Sequence, residues 1–186
     1  MNNNISFGGN FIKKLPVLKY SYKEKNYKPA YANLVELESH NIKDVNAIEE
    51  IAKSFGGDSY VNNMSYDAKL AYERGQNDKR FGALILTKQA GNFEEIDADE
   101  VLGVAEILKI KNGEIKLMYL QTDPCLVYSY GQRSVKNIGS AILNYLKDIN
   151  NKISLLASSS AIRFYLKHDF KLVSEDCSRM VWAKKK

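Results

Sequence analysis

Leu117-Met118-Tyr119-Leu120, followed after a polar loop by Arg133-Ser134-Val135-Lys136-Asn137-Ile138-Gly139-Ser140-Ala141-Ile142, is the stretch on which the fold turns. The first run is apolar and short, and reads as a strand. Ile138, Ala141, Ile142, Tyr145, Leu146 and Ile149 recur at the helical period, so a helix with one apolar face follows the loop. A strand that feeds a loop and then a helix start gathers unpaired backbone N–H groups at one point. With the helix dipole these form an anion site. Gly139 lets a ligand phosphate approach the backbone, and Arg133 and Lys136 add positive charge beside it. Taken alone, the same stretch also reads as an ordinary strand-to-helix turn with two solvated cations.

Composition narrows the classes. A chain of 186 residues, 45% hydrophobic and 26% charged, suits one globular domain with a sizeable core. No apolar run approaches the ~18 residues of a membrane span. The start, Met1-Asn2-Asn3-Asn4-Ile5, lacks the charged-then-apolar order of a signal peptide. The expectation is a cytoplasmic protein with no membrane partner. Cys125 and Cys177 form no paired-ligand pattern, and His40 and His168 are the only histidines, so no metal site and no Ser-His-Asp triad is expected. The net charge of +5 is scattered apart from Lys13-Lys14, the Lys23–Lys28 stretch and Lys184-Lys185-Lys186. No nucleic-acid partner is expected from it; a small polyanion such as a nucleotide fits better.

Residues 1–30 read as an irregular extension with a short strand near Pro16–Tyr20, and residues 31–186 as a single domain. Tyr31–Leu37 alternates as a first strand. Asp44 reads as the N-cap of a helix with Ala47, Ile48, Ile51 and Ala52 on its apolar face, ended by Gly56-Gly57. A second helix covers Ser65–Arg74, ended by Gly75. Phe81–Thr87 and Val101–Ile110 are strands separated by an acidic loop. Asn112-Gly113 is a strong hairpin signal and makes Glu114–Thr122 antiparallel to the strand before it. Ile153–Ala157, connected through the central helix, lies parallel to Glu114–Thr122. Ser158 or Ser159 caps a helix over Ala161–His168, and strands at Phe170–Val173 and Arg179–Ala183 close the chain. The fold class is α/β: a mixed, mostly antiparallel central sheet with one parallel strand pair and flanking helices.

Two segments in this order resemble the GCN5-related N-acetyltransferase (GNAT) family. Leu120-Gln121-Thr122-Asp123-Pro124 followed by Lys136-Asn137-Ile138-Gly139-Ser140-Ala141 is similar to the family's acyl-CoA signature, an Arg/Gln-x-x-Gly-x-Gly/Ala loop opening a helix. Ser158-Ser159-Ser160-Ala161-Ile162-Arg163-Phe164-Tyr165-Leu166-Lys167-His168-Asp169-Phe170 is similar to the segment Asn-x-x-Ala-x-x-Phe-Tyr-x-x-x-Gly-Phe. The departures are Asn137 for the first signature glycine, Ser134 with Arg133 one place early, Ser158 for Asn and Asp169 for Gly. Asn tolerates left-handed backbone, so the loop survives the first of these. Pro124 lies fifteen positions before Gly139 (139 − 124), so residues 125–132 look inserted.

The resemblance implies a parallel pair that splays, acetyl-CoA as acetyl donor with no metal, and direct attack of a primary amine on the thioester. It places Leu120, Gln121, Thr122, Arg133, Val135, Lys136, Asn137, Ile138, Gly139, Ser140, Ser158 and Ala161 at the cofactor. It makes Tyr165 the proton donor to the leaving thiolate, with Phe164 as the core member of the aromatic pair. Glu106 sits inside an apolar strand, where a carboxylate is unusual; a base with raised pKa, an outward-facing side chain and a lysine partner are all open readings. Tyr119 and Gln121 are alternative walls of the acceptor site. Trp182 reads as core, and His168 as a partner of helix-end carbonyls. An acyl-CoA-binding regulatory module that has lost the chemistry is the alternative function, and a homodimer is compatible with the resemblance.

Overall fold

The apolar run Phe81–Thr87 becomes an interior strand of the sheet, buried along all but its first residue. A computed structural model describes residues 8–56, 60–74, 81–128, 133–173 and 178–185. Among them the strands are β1 (Asn10–Ser21), β2 (Asn26–Leu37), β3 (Phe81–Thr87), β4 (Val101–Lys109), β5 (Glu114–Thr122), β6 (Val135–Lys136), β7 (Lys152–Leu156), β8 (Lys171–Leu172) and β9 (Arg179–Ala183). The helices are α1 (Ile42–Phe55), α2 (Tyr60–Glu73), α3 (Pro124–Tyr128), α4 (Ile138–Ile149) and α5 (Ile162–Lys167). The strands form one sheet in the order β6-β1-β2-β3-β4-β5-β7-β9-β8, and only β5 and β7 pair in parallel. Period two divides β3 and β4 between two cores. Leu84, Leu86, Ala105 and Ile107 face α4; Ala83, Ile85 and Val104 face α1 and α2. On α4, Ile142, Leu143 and Leu146 are fully buried, each worth about 1.5–3 kcal/mol.

The amino-terminal residues differ from the expectation. Residues 10–21 are a twelve-residue strand, not an irregular extension, and pair with a strand that starts at Asn26 rather than Tyr31. The boundary expected between residues 30 and 31 falls inside β2. Alternation explains this: Leu15 and Val17 enter the core while Lys14 and Pro16 face solvent. The first helix also starts earlier. Asn41 is its N-cap, accepting from the Lys43 amide, and Asp44 lies in the first turn, where its Oδ2 accepts the Glu38 amide at 2.8 Å. The second helix starts at Tyr60, not Ser65. Gly57 and Gly75, read as helix ends, lie outside the described residues.

Two features set up the site. At the β4–β5 turn Asn112 and Gly113 have φ of 65° and 71°, the left-handed pair a tight hairpin requires. Farther along, the β4–β5 register slips between Glu106 and Ile107, so Met118 is an extra residue in β5. The parallel ladder to β7 runs from Glu114–Lys152 to Leu117–Leu155 and ends where this bulge begins. Beyond it β5 continues to Thr122 without β7, while β7 keeps β9 as its other neighbour. The parallel pair is splayed.

Candidate active site

The parting strands open a cleft of about 810 Å³. Its walls bring together Leu120, Gln121 and Thr122 from β5, Arg133 through Ser140 excepting Ser134, and Ser158, Ala161 and Tyr165. Pro124 and Phe164 from the two motif segments, and Phe55, Gly56, Tyr60 and Leu126, which no motif singled out, complete it. Phe55 and Tyr60 sit at the α1–α2 corner, and nothing local in the sequence marks that corner as facing β5.

At one end of the cleft lies the start of α4. Asn137, its N-cap, is left-handed with φ of 66° and makes no side-chain cap bond. The first intrahelical bond runs from the Ala141 amide to the Asn137 carbonyl at 2.8 Å, so the amides of Ile138, Gly139 and Ser140 precede the helical ladder. The helix reaches the sheet closely because β4 has Gly103 there: an added Cβ would stand 2.6 Å from Ile138 Cγ2. Val135 and Lys136, expected to present amides to a ligand, instead form β6 and pair with Lys19 and Leu18 of β1.

The β1–β2 hairpin holds this loop. The Tyr20 amide donates to the Ser134 carbonyl at 2.8 Å, and the Tyr27 hydroxyl donates to the Arg133 carbonyl at 2.8 Å. The Lys136 ammonium sits 3.9 Å from the centroid of the Tyr27 ring. Of the segment expected as an inserted loop, Pro124–Tyr128 is the short helix α3; residues 129–132 lie outside the described residues.

Around α5 three expectations change. Ser158 does not cap the helix: its Oγ lies 3.2 Å from Ser160 Oγ, and Ala161 is the N-cap with no side-chain bond. His168 Nε2 lies 3.0 Å from Ser140 Oγ, tying the end of α5 to the start of α4; the ring does not bind helix-end carbonyls. Burial, then the Lys147 ammonium, lowers its pKa. That ammonium donates to the His168 carbonyl, and Asp169 turns the chain with φ of 63°. Third, Tyr165 is the more buried of the aromatic pair at 7% exposure, while Phe164 is half-buried, its Cζ 3.4 Å from where a Cβ on Gly139 would lie. Burial pushes the Tyr165 phenol up to about 12.

Tyr165 also lines a second cleft of about 250 Å³, between Tyr60, Lys116–Leu120 and Leu156. The two clefts share Tyr60, Leu120, Ser158, Ala161 and Tyr165, so they meet where β5 leaves β7. Glu106 lines neither. It is 4% exposed, cross-strand from Tyr119, and its Oε2 has no hydrogen-bond partner among the described residues. Of the three open readings, burial rules out the outward-facing one, and no lysine pairs with the carboxylate among the described residues. Burial, with Asp67 of α2 nearby, pushes its carboxyl up to about 8. Gln121 Oε1, two residue pairs along the same β4–β5 ladder, is likewise buried without a partner among the described residues. Tyr119 stacks on Tyr60 at 5.8 Å between centroids. Among the described residues no group of His, Cys, Asp or Glu could hold a metal ion, and no helix is long and apolar enough to cross a membrane.

No protein-family model and no curated protein sequence matches the chain. Solved structures do. A protein from Desulfovibrio desulfuricans assigned to the GNAT acetyltransferase family is similar with a TM-score of 0.54 at 11% identity, over 81% of this chain and 98% of that one. AtaT in complex with acetyl-methionyl-tRNAfMet is similar with a TM-score of 0.52 at 13% identity, over 82% and 94%. The PaiA N-acetyltransferase of Thermoplasma acidophilum, in complex with coenzyme A, has a TM-score of 0.49 at 18% identity, over 82% and 99%. With its single parallel strand pair parting above a helix N-terminus, this chain has the fold of the GNAT acetyltransferases.

Proposed function

We propose that the protein is an acetyl-CoA-dependent N-acetyltransferase that acts on a primary amine, with donor and acceptor bound together. The observation that carries this reading is the end of the β5–β7 ladder at Leu117–Leu155, in a cleft that also contains the start of α4. Bound acetyl-CoA supplies the acyl group as an activated thioester. The amides of Ile138, Gly139 and Ser140 receive its diphosphate, with Arg133 and Lys136 alongside. Backbone groups of Leu120–Thr122, left without a β7 neighbour, hydrogen-bond the carrier's amides. One such N–H aimed at the thioester oxygen supports the charge that develops there, about 3 kcal/mol by analogy with other enzymes.

Tyr165 stands where the two clefts meet and donates a hydrogen bond to the departing sulfur. With its pKa pushed up to about 12, the phenol keeps its proton at every working pH. Full transfer to a thiolate, with an ordinary thiol pKa of about 8.5, is uphill, so the phenol supports the sulfur by hydrogen bonding and the carrier leaves as a thiolate that equilibrates with solvent protons. The amine enters through the second cleft, past Tyr60 and Tyr119, and Glu106, cross-strand from Tyr119 and outside the cleft lining, receives its proton through an intervening water. A carboxyl pushed up to about 8 is suited to that task, because its basic fraction grows through mildly alkaline pH.

The test is calorimetry with coenzyme A, followed by thiol release from acetyl-CoA over polyamines, amino acids, antibiotics and protein amines. Saturable heat, a raised melting temperature and amine-dependent thiol release are expected. No heat and no melting shift would end the reading. Tight binding with no thiol release from any amine would favour an acyl-CoA-binding regulatory module.

A further inference from the structure

The walls of the two clefts are one-sided in charge. Among the described residues Arg133 and Lys136 line the larger and Lys116 the smaller, and no Asp or Glu lines either. The first two stand beside the start of α4, where the diphosphate is received. Lys116 is left for another ligand. It lies opposite Ser154 on the β5–β7 ladder, one rung before that ladder ends. Its neighbours Ile115 and Leu117 enter the core beneath α4, so period two turns Lys116 to the face of α2. It is partly buried and has neither an ion pair nor a hydrogen-bond partner among the described residues. Glu106 lies on the same face, two residues from Leu108, the cross-strand partner of Lys116, and so about 7 Å along the strand. Its Oε2 is also without a partner there, Lys116 included. Burial, then Glu106 and Asp67, push the Tyr119 phenol up, so the smaller cleft has an acidic pole at Tyr119 and a basic pole at Lys116.

We infer that the acceptor is an α-amino acid with an apolar side chain, its carboxylate held by the Lys116 ammonium and its amino group at Tyr119; the inference rests on the acetyl-CoA reading above. Three strand residues separate Lys116 from Tyr119, about 10 Å. An extended lysine side chain covers much of that distance, and the short spacing from carboxylate to amino group covers the rest. A diamine reaching the same two poles sets its second ammonium against Lys116. The apolar side chain follows from the rest of the wall. Tyr60 and Leu156, 53% and 60% exposed, line the cleft with Met118 and leave apolar surface for a ligand to cover. At about 250 Å³ the cleft is smaller than the ~300–1,000 Å³ pockets of drug-sized ligands, which suits a single amino acid. The bound ammonium gives one proton through water to the Glu106 carboxylate. The free amine attacks the thioester carbon, the N–C bond forms, the C–S bond breaks and the thiolate leaves. The second nitrogen proton passes to solvent, and the product is an N-acetylamino acid.

The measurement is thiol release from acetyl-CoA with leucine, leucinamide, isopentylamine and putrescine as acceptors, by the full chain and its Lys116→Met and Lys116→Arg variants. Each acceptor is compared with itself across the variants, so differences in amine basicity cancel. Lys116 makes no bond within the fold, so both variants are expected to melt with the wild type. Lys116→Met should raise KM for leucine about tenfold and change it far less for leucinamide and isopentylamine, which lack the carboxylate. Lys116→Arg, which keeps the charge, should recover most of that loss. A wild type that prefers putrescine to leucine, or a Lys116→Met variant that loses equally for leucine, leucinamide and isopentylamine, overturns the inference while leaving the proposed function intact. Thiol release with protein amines but with none of the four does the same. A chain that releases no thiol with any amine overturns the functional reading and this one with it.

Discussion

The two sides of β5 behave differently. Toward β4 the strand is paired along its length, from Lys109–Ile115 to Gly103–Thr122, with one slip at Met118. Toward β7 it makes four register pairs and stops. The first side is structural: it closes the sheet and, through Gly103, sets the depth at which α4 rests. The second exposes the strand's own hydrogen-bonding groups inside a cleft. A buried backbone group without a partner is costly, so a strand edge kept open in this way is suited to a ligand that completes it. The difference shows how one bulge leaves a sheet strand with an open edge inside a cleft.

Substitutions can separate the two sides. The largest effect belongs to the open side. Tyr165→Phe should lower kcat about a hundredfold with little change in coenzyme A affinity or melting temperature, read by steady-state kinetics and calorimetry. An unchanged rate would remove the phenol from the reaction. On the closed side, Gly103→Ala puts a Cβ 2.6 Å from Ile138 Cγ2 and 3.0 Å from the Gln121 carbonyl oxygen. It should cost about 1–3 kcal/mol in urea denaturation, because α4 must lift. Carrier affinity should fall with it, since the amides of Ile138–Ser140 move too.

Glu106 links the sides, facing α2 from β4. Its folded pKa of about 8 lies above the ordinary carboxylate value of 4.5, so the native state holds the proton more tightly than the unfolded chain. This stability is complete below pH 4.5 and is lost as pH rises through about 8. Glu106→Gln should remove that slope and be more stable than the wild type at pH 9, while its kcat/KM no longer rises through pH 8. A wild-type slope of opposite sign would refute the burial argument. The smallest effect is expected at the hairpin: Tyr27→Phe removes the bond to the Arg133 carbonyl but keeps the ring beneath Lys136. It should raise KM for acetyl-CoA a few-fold and leave kcat alone, consistent with a hydrogen bond worth about 1 kcal/mol.

The strands at Phe81–Thr87 and Glu114–Thr122 and the helix at Ile138–Ile149 were legible to the residue, because long apolar runs and a six-position helical stripe leave little choice of period. The amino-terminal hairpin was not. Only Leu15 and Val17 mark the inner face of β1, among lysines and a proline, and two alternating residues carry too little signal. Caps were misplaced for a similar reason: Asp44 and Asn41 both suit a helix start, and the choice depends on which side chain can reach an amide, here Lys43 for one and Glu38 for the other. Tyr165 was named as functional and Phe164 as core from the motif; how deeply each lies depends on the packing of Tyr165 on Phe170 and of Phe164 on Gly139 of α4, which a motif does not specify.

Local periodicity, turn chemistry and the Asn137–Ser140 loop were determined by the chain itself, since each depends on residues within a turn or two. The closure of the cleft, the burial of Glu106 and the clamp of β1 on the loop before α4 were decided only in three dimensions. Each joins segments scores of residues apart. Their energies come from desolvation and close contact, which neighbours along the chain do not specify.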